Sequence, residues 1–257
     1  MSIRAALAVT VIAAGTASPY AAQRLVRHDL LVAAAASLSN VAAPLAQAIH
    51  ERHGLDVRFT FAGSNTLARQ IVDGARVDVF LSADDTQMDV VERAGLIVPG
   101  TRVDVLANEL VVIVGRGHET LVQGARDLTR PEVARIAMGD PEAVPAGVYG
   151  RRWLEAAGVW SQVQPKVVPL SSSPAVVAAV REGRAAAGIV YVTDAVARSS
   201  SVAVAYRVDR HAAPAIRYPA AVVAGGRIAE ARTFIQYLLS ADATRLFEAA
   251  GFVRPPR

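Results

Sequence analysis

Leu30–Asn40 reads LLVAAAASLSN. Leu30–Ala36 is an apolar run of strand length, and Ser37, Ser39 and Asn40 are residue types that cap helices. An alanine-rich run with helical character, Val41–His53, follows. A buried strand is therefore expected to empty through a serine turn into a helix. At such a junction the first backbone N–H groups have no intrahelical partner and the helix dipole is positive. That combination suits an anion. The serines would serve equally well as simple helix caps, and this stretch alone leaves both readings open.

Working outward, strand and helix patterns alternate. Asp56–Phe61 (DVRFTF) reads as a strand, Thr66–Asp73 as a helix, Val77–Ser82 (VDVFLS) as a strand and Asp85–Ala94 as a helix. Leu110–Val114 (LVVIV) has no polar residue and is expected inside a sheet. Val133–Ala137 reads as a strand, Val148–Ala157 as a helix and Val167–Leu170 as a short strand. Ala175–Arg181 then reads as a helix with Pro174 at its first position, and Ala187–Val192 as a buried strand. Ala220–Ala224 reads as a strand, followed by helices over Ala229–Leu239 and Ala241–Ala250. This alternation indicates α/β architecture with parallel βαβ units.

Composition narrows the function. The chain has 257 residues, 53% hydrophobic and 19% charged, with a formal net charge of +4. Its basic residues are scattered, with no basic stripe interleaved with aromatics, which argues against nucleic acid as a partner. It has no cysteine. Disulfides, thiolate metal sites, a cysteine nucleophile and a lipid-modified cysteine are thereby excluded. His28, His50, His53, His118 and His211 show no metal-ligand spacing. At the N-terminus, Arg4, the apolar Ala5–Ala14 and the small residues of GTASPYAA form the three regions of a secretory signal. Residues 1–22 are therefore expected to be a cleaved signal peptide, with the mature protein exported. The apolar run is too short to span a membrane.

One pattern recurs: an apolar strand, a small polar turn and a helix start, at Ser37, Ser64, Ala146 and Ser173. In open parallel sheets, ligands gather at the carboxyl ends of strands. No lysine or arginine stands in these turns. A site built there would bind charge with neutral dipoles, which are effective toward an ionised acceptor.

Six segments in order carry a resemblance: AAASLSN (34–40), FAGSNTLARQI (61–71), VDVFLSAD (77–84), MGDPEAVPAGVYG (138–150), GIVYVTDA (188–195) and YPAAVV (218–223). Together they resemble the periplasmic molybdate-binding proteins, the solute receptors of molybdate ABC importers. The resemblance runs from about residue 30 to the C-terminus. It implies a two-lobe periplasmic solute-binding fold of type 2, each lobe a mainly parallel sheet flanked by helices, with a hinge between. One lobe would comprise residues 24–107 plus 218–257 and the other residues 108–217. It also implies the ligand set. Ser37 and Ser64 would donate hydroxyl and backbone N–H, Ala146 its N–H and Tyr191 its phenol. The remaining family donor, a backbone N–H at a helix start, falls on Ser173, where the sequence SSSP departs from the family pattern.

The resemblance implies binding of molybdate, with tungstate as a second ligand, and delivery to the membrane permease of an ABC importer. The protein would be a periplasmic monomer without a cofactor, and molybdenum would enter only as the bound oxyanion. A receptor for sulfate or phosphate is the alternative. A site made only of donors suits sulfate equally, whereas phosphate, which can carry a proton, would favour a carboxylate acceptor such as Asp140. An enzyme is disfavoured: no histidine lies in the strand-end turns to activate a serine, and there is no G-x-S-x-G elbow.

Overall fold

The computed structural model of the chain describes residues 29–209, 212 and 215–255. The expected signal peptide (1–22), His28 and His211 lie outside the described residues. The strands are β1 (Leu30–Ala35), β2 (Val57–Ala62), β3 (Val79–Leu81), β4 (Val103–Asn108), β5 (Leu110–Gly115), β6 (Ile136–Gly139), β7 (Val167–Leu170), β8 (Ala187–Tyr191), β9 (Val202–Arg207) and β10 (Ile216–Val222). The helices are α1 (Ala42–His53), α2 (Ser64–Val72), α3 (Asp85–Arg93), α4 (Pro145–Ala156), α5 (Trp160–Val163), α6 (Ser173–Arg181), α7 (Val192–Val196), α8 (Ile228–Leu238) and α9 (Ala241–Ala249).

Two five-stranded sheets result, ordered β2-β1-β3-β10-β4 and β7-β6-β8-β5-β9. Each forms one lobe of a two-lobe, type 2 solute-binding fold. Both sheets are mixed. β1 pairs in parallel with β2 and β3, while β10 runs antiparallel to β3 and β4. β6 pairs in parallel with β7 and β8, while β5 runs antiparallel to β8 and β9. The antiparallel strands are those nearest the passage between sheets. β4 ends at Asn108 and β5 begins at Leu110, so the chain changes sheet across Glu109. It returns with β10, whose Ile216 pairs with Asn108.

β1 sits between two parallel neighbours and is buried on both faces, which is why its sequence is a continuous apolar run. Leu30, Val32 and Ala34 share a core with Leu45 and Ile49 of α1 and Phe234 of α8. Ala33 points the other way, into a core with Leu67, Ala68 and Ile71 of α2. Methyl side chains at Ala33–Ala35 let helices approach this strand closely. α1 ends at Gly54, whose positive φ of 62° forms the left-handed C-cap. Asp84 caps α3 by accepting the N–H of Gln87 at 2.7 Å.

Several boundaries differ from those read in sequence. β6 is Ile136–Gly139 rather than 133–137, because Val133 closes the preceding turn through its N–H to the carbonyl of Arg130. α4 starts at Pro145, three residues before the expected Val148, and α6 at Ser173 rather than Ala175. β9 was not anticipated; it is a half-buried edge strand with only Val202 buried. Among the described residues, no helix is long and apolar enough to cross a membrane.

Candidate oxyanion site at the strand ends

Parallel pairing brings the carboxyl ends of β1, β2 and β3 side by side, and likewise those of β6, β7 and β8. Each candidate residue leaves its sheet at one of these ends. Ser37 lies in a single 3₁₀ turn, Ala36–Leu38, directly after β1. It is not at the start of α1, whose N-cap position is Val41 with no side-chain cap. The capping reading of Ser37 and Ser39 is thereby removed. Ser64 is the first residue of α2 after Gly63, so it too is inside the helix start rather than capping it.

In the second sheet, Ala146 lies in the first turn of α4, Ser173 opens α6 and Tyr191 closes β8. Gly147 makes the seat of α4 possible: a Cβ there would run into the carbonyl oxygens of Gly139 and Asp140. The first turn of α4 can thus rest on the end of β6. Gly188 does the same for α6, since a Cβ would stand 2.8 Å from Val180 and 2.9 Å from Val176.

The two strand-end clusters face each other. The 3₁₀ turn carrying Ser37 contacts α6. A Cβ on Gly63 would stand 2.9 Å from the carbonyl oxygen of Ser171. Tyr191 and Tyr218 meet edge-on, ring centroids 6.0 Å apart, and Tyr218 bonds Ser37 at 2.9 Å. All five candidate residues are buried, none exposed by more than 5%.

Their donor groups share one property. Ser64 Oγ accepts the N–H of Ala83 at 2.9 Å, which leaves its own proton to give. The Tyr191 hydroxyl is buried with no partner. Among the described residues, the N–H groups of Ser37, Ser64, Ala146 and Ser173 have no acceptor. Pro174 has no N–H, so α6 offers its first-turn donor through Ser173. Buried donors left open in this way cost stability unless something accepts from them.

Sequence reasoning missed four residues around this cluster. Asn108 and Tyr218 bond beside Ser37. Asp84 and Asp194 are the acidic groups. Burial raises the Asp84 carboxyl to about 6, against the N–H of Gln87, with Arg152 opposing and Asp85 and Asp89 reinforcing. Burial raises that of Asp194 to about 7, against Arg198, the Tyr191 backbone and the Ser173 hydroxyl. Burial also holds the Tyr191 phenol well above its ordinary range, so it remains a proton donor. A lone aspartate directly after a strand end, as in GIVYVTDA, was the only signal available in the sequence. Asp140, the carboxylate weighed for phosphate, is engaged in its own turn, accepting the N–H of Glu142 at 2.9 Å. Among the described residues no group of histidine and acidic side chains is arranged to hold a metal ion.

Comparison with known proteins is consistent with a receptor of this kind. The molybdate-binding protein ModA of Escherichia coli is 37% identical over 228 residues, covering 87% of this chain and 88% of the relative. The substrate-binding domain of a molybdenum ABC transporter from Clostridium difficile superposes with a TM-score of 0.70 at 30% identity, covering 89% of this chain and 99% of that one. The periplasmic molybdate-binding protein of Azotobacter vinelandii shares the fold with a TM-score of 0.80 at 22% identity, over 89% and 100% of the two chains. Residues 30–253 match the bacterial extracellular solute-binding protein model, and the chain belongs to that family of solute receptors rather than to an enzyme family.

Proposed function

We propose that this protein binds molybdate, with tungstate as an alternative ligand, and delivers it to the permease of an ABC importer from the periplasm. The observation that carries the reading is the set of buried donors without acceptors: the hydroxyls of Ser64 and Tyr191 and the N–H groups of Ser37, Ser64, Ala146 and Ser173. Ser37 Oγ completes the set. A fully ionised tetrahedral oxyanion offers only acceptors, and charge-assisted bonds in a dry site are about twice as strong as neutral ones. Burial raises the two nearby carboxyls, so neither sets a firm negative charge against the ligand at mildly acidic pH.

Kinship with proteins named for molybdate favours this oxyanion over sulfate. On this reading the lobes divide at Glu109 and near Ile216, and closure of a monomer about these two crossings traps the ligand. Thermal shift with molybdate, tungstate, sulfate and phosphate tests it, because a ligand that binds only the folded state raises the melting temperature. The expected result is a large rise with molybdate and tungstate and little with the others. Calorimetry in which sulfate binds as tightly as molybdate would overturn the reading.

A further inference from the structure

A chain of buried side chains runs from the first sheet to the second beneath the candidate site. The Glu109 N–H donates to Asn108 Oδ1 at 2.9 Å. Asn108 Nδ2 lies 3.0 Å from Thr193 Oγ1 and 3.0 Å from Tyr218 Oη. Tyr218 Oη lies 2.9 Å from Ser37 Oγ. All four side chains are buried.

The directions of these bonds follow from what each group can do. A backbone N–H only donates, so the atom of Asn108 facing Glu109 is its oxygen and the amide nitrogen faces the other two residues. That nitrogen carries two hydrogens and accepts nothing. One hydrogen goes to Thr193 and the other to Tyr218. Tyr218 Oη therefore accepts from Asn108, and either hydroxyl of the Tyr218–Ser37 pair can donate to the other. Beside a ligand that offers only acceptors, every group is satisfied when the Tyr218 hydrogen goes to Ser37 Oγ and the Ser37 hydrogen goes to the anion, since among the described residues neither hydroxyl has another acceptor.

We propose that Asn108 and Tyr218 are positioning residues for the ligand: they fix the polarity of the chain so that the Ser37 hydroxyl presents its hydrogen, and never a lone pair, to the anion. The inference rests on the oxyanion reading above. Without the Tyr218 hydroxyl, the Ser37 hydroxyl would be free to distribute over its three staggered orientations. Only one of them suits the ligand, which corresponds to a loss of about threefold in affinity.

A double-mutant cycle read by molybdate calorimetry tests this, with apo melting curves to verify folding. Tyr218→Phe keeps the ring and its edge-on contacts with Tyr191 and Phe252. It is expected to weaken binding by about threefold alone and to have no effect in a Ser37→Ala background. Combined with Ser64→Ala, its loss should persist in full. Should Tyr218→Phe fail to fold, Asn108→Ala enters the same cycle with the same expectation. If Tyr218→Phe costs the same factor with and without Ser37, or costs nothing, the inference is overturned while the ligand assignment stands. If the wild-type protein does not bind molybdate at all, the ligand assignment falls and takes the inference with it.

Discussion

Ser64 Oγ accepts the backbone N–H of Ala83 at 2.9 Å, joining the start of α2 to the end of β3. Both groups are buried. The hydroxyl therefore has two tasks: its lone pair satisfies the N–H just beyond β3 and its hydrogen is free for a ligand.

Ser64→Ala is accordingly predicted to lower stability and affinity together. The Ala83 N–H would be left buried without an acceptor, at a cost of about 1–3 kcal/mol. Loss of a bond to a charged acceptor would weaken molybdate binding roughly tenfold to a hundredfold. Denaturant unfolding of the apo protein and calorimetry measure the two losses separately. A variant as stable as wild type would show that the Ser64–Ala83 bond contributes nothing.

Tyr191→Phe is predicted to split the two effects. Among the described residues the Tyr191 hydroxyl has no partner. Removing it takes away a buried polar group that carries a desolvation cost, so the apo protein should melt at the same temperature or higher. Affinity for molybdate should still fall by roughly tenfold to a hundredfold. A destabilised apo protein, or unchanged affinity, would mean the phenol serves the fold instead of a ligand.

Much of this arrangement was legible in the sequence, because the fold places function at strand ends and strand ends are marked by composition. LLVAAA reads as a buried strand by its length and lack of polar residues, and small polar residues directly after a strand mark the turn. The helix starts were harder. Ser64, Pro145 and Ser173 look like loop residues by propensity, yet each is already helical, since the first turn asks nothing of its N–H groups. β9 was missed because VAVAYR is a half-exposed edge strand with only Val202 buried. Asn108, Thr193 and Tyr218 were invisible for a different reason. Asn108 is separated from Thr193 by 85 residues and from Tyr218 by 110, and no local pattern marks a contact over that distance.

At Ser173 the sequence SSSP departs from the pattern that the resemblance implies, and two variants separate the roles of backbone and side chain there. Ser173→Ala keeps the N–H that opens α6, so molybdate affinity should stay within about threefold of wild type. The hydroxyl stands against Asp194, and its loss should cost about 1 kcal/mol of stability. Pro174→Ala adds an N–H to the first turn of the helix and should leave affinity unchanged. A tenfold gain in that variant, by calorimetry, would place the anion against residue 174 and displace Ser173 from the site.

Asp194 is buried, with Oδ2 lacking any hydrogen-bond partner. Burial raises its pKa from 3.8 to about 7, opposed by Arg198, the Tyr191 backbone and the Ser173 hydroxyl. The folded chain thus holds a proton that the unfolded chain has released. This contribution to stability is complete below the unfolded value of 3.8 and is lost as pH rises through about 7. Apo stability should therefore decline from acidic to neutral pH, with Asp84, raised to about 6, contributing in the same direction. Affinity should follow the same sign. Ionised Asp194 stands beside Ser173 and Tyr191 and would repel the dianion, so binding should be tighter at pH 6 than at pH 8, by up to about tenfold for one unit of pKa coupling. Molybdate is fully ionised at neutral pH and does not supply this trend. Asp194→Asn keeps the size of the side chain and cannot ionise, so it should flatten the pH dependence of affinity. Calorimetry at pH 6, 7 and 8 on both proteins measures the difference. A wild-type affinity that does not change across that range would place Asp194 outside the reach of the ligand's charge.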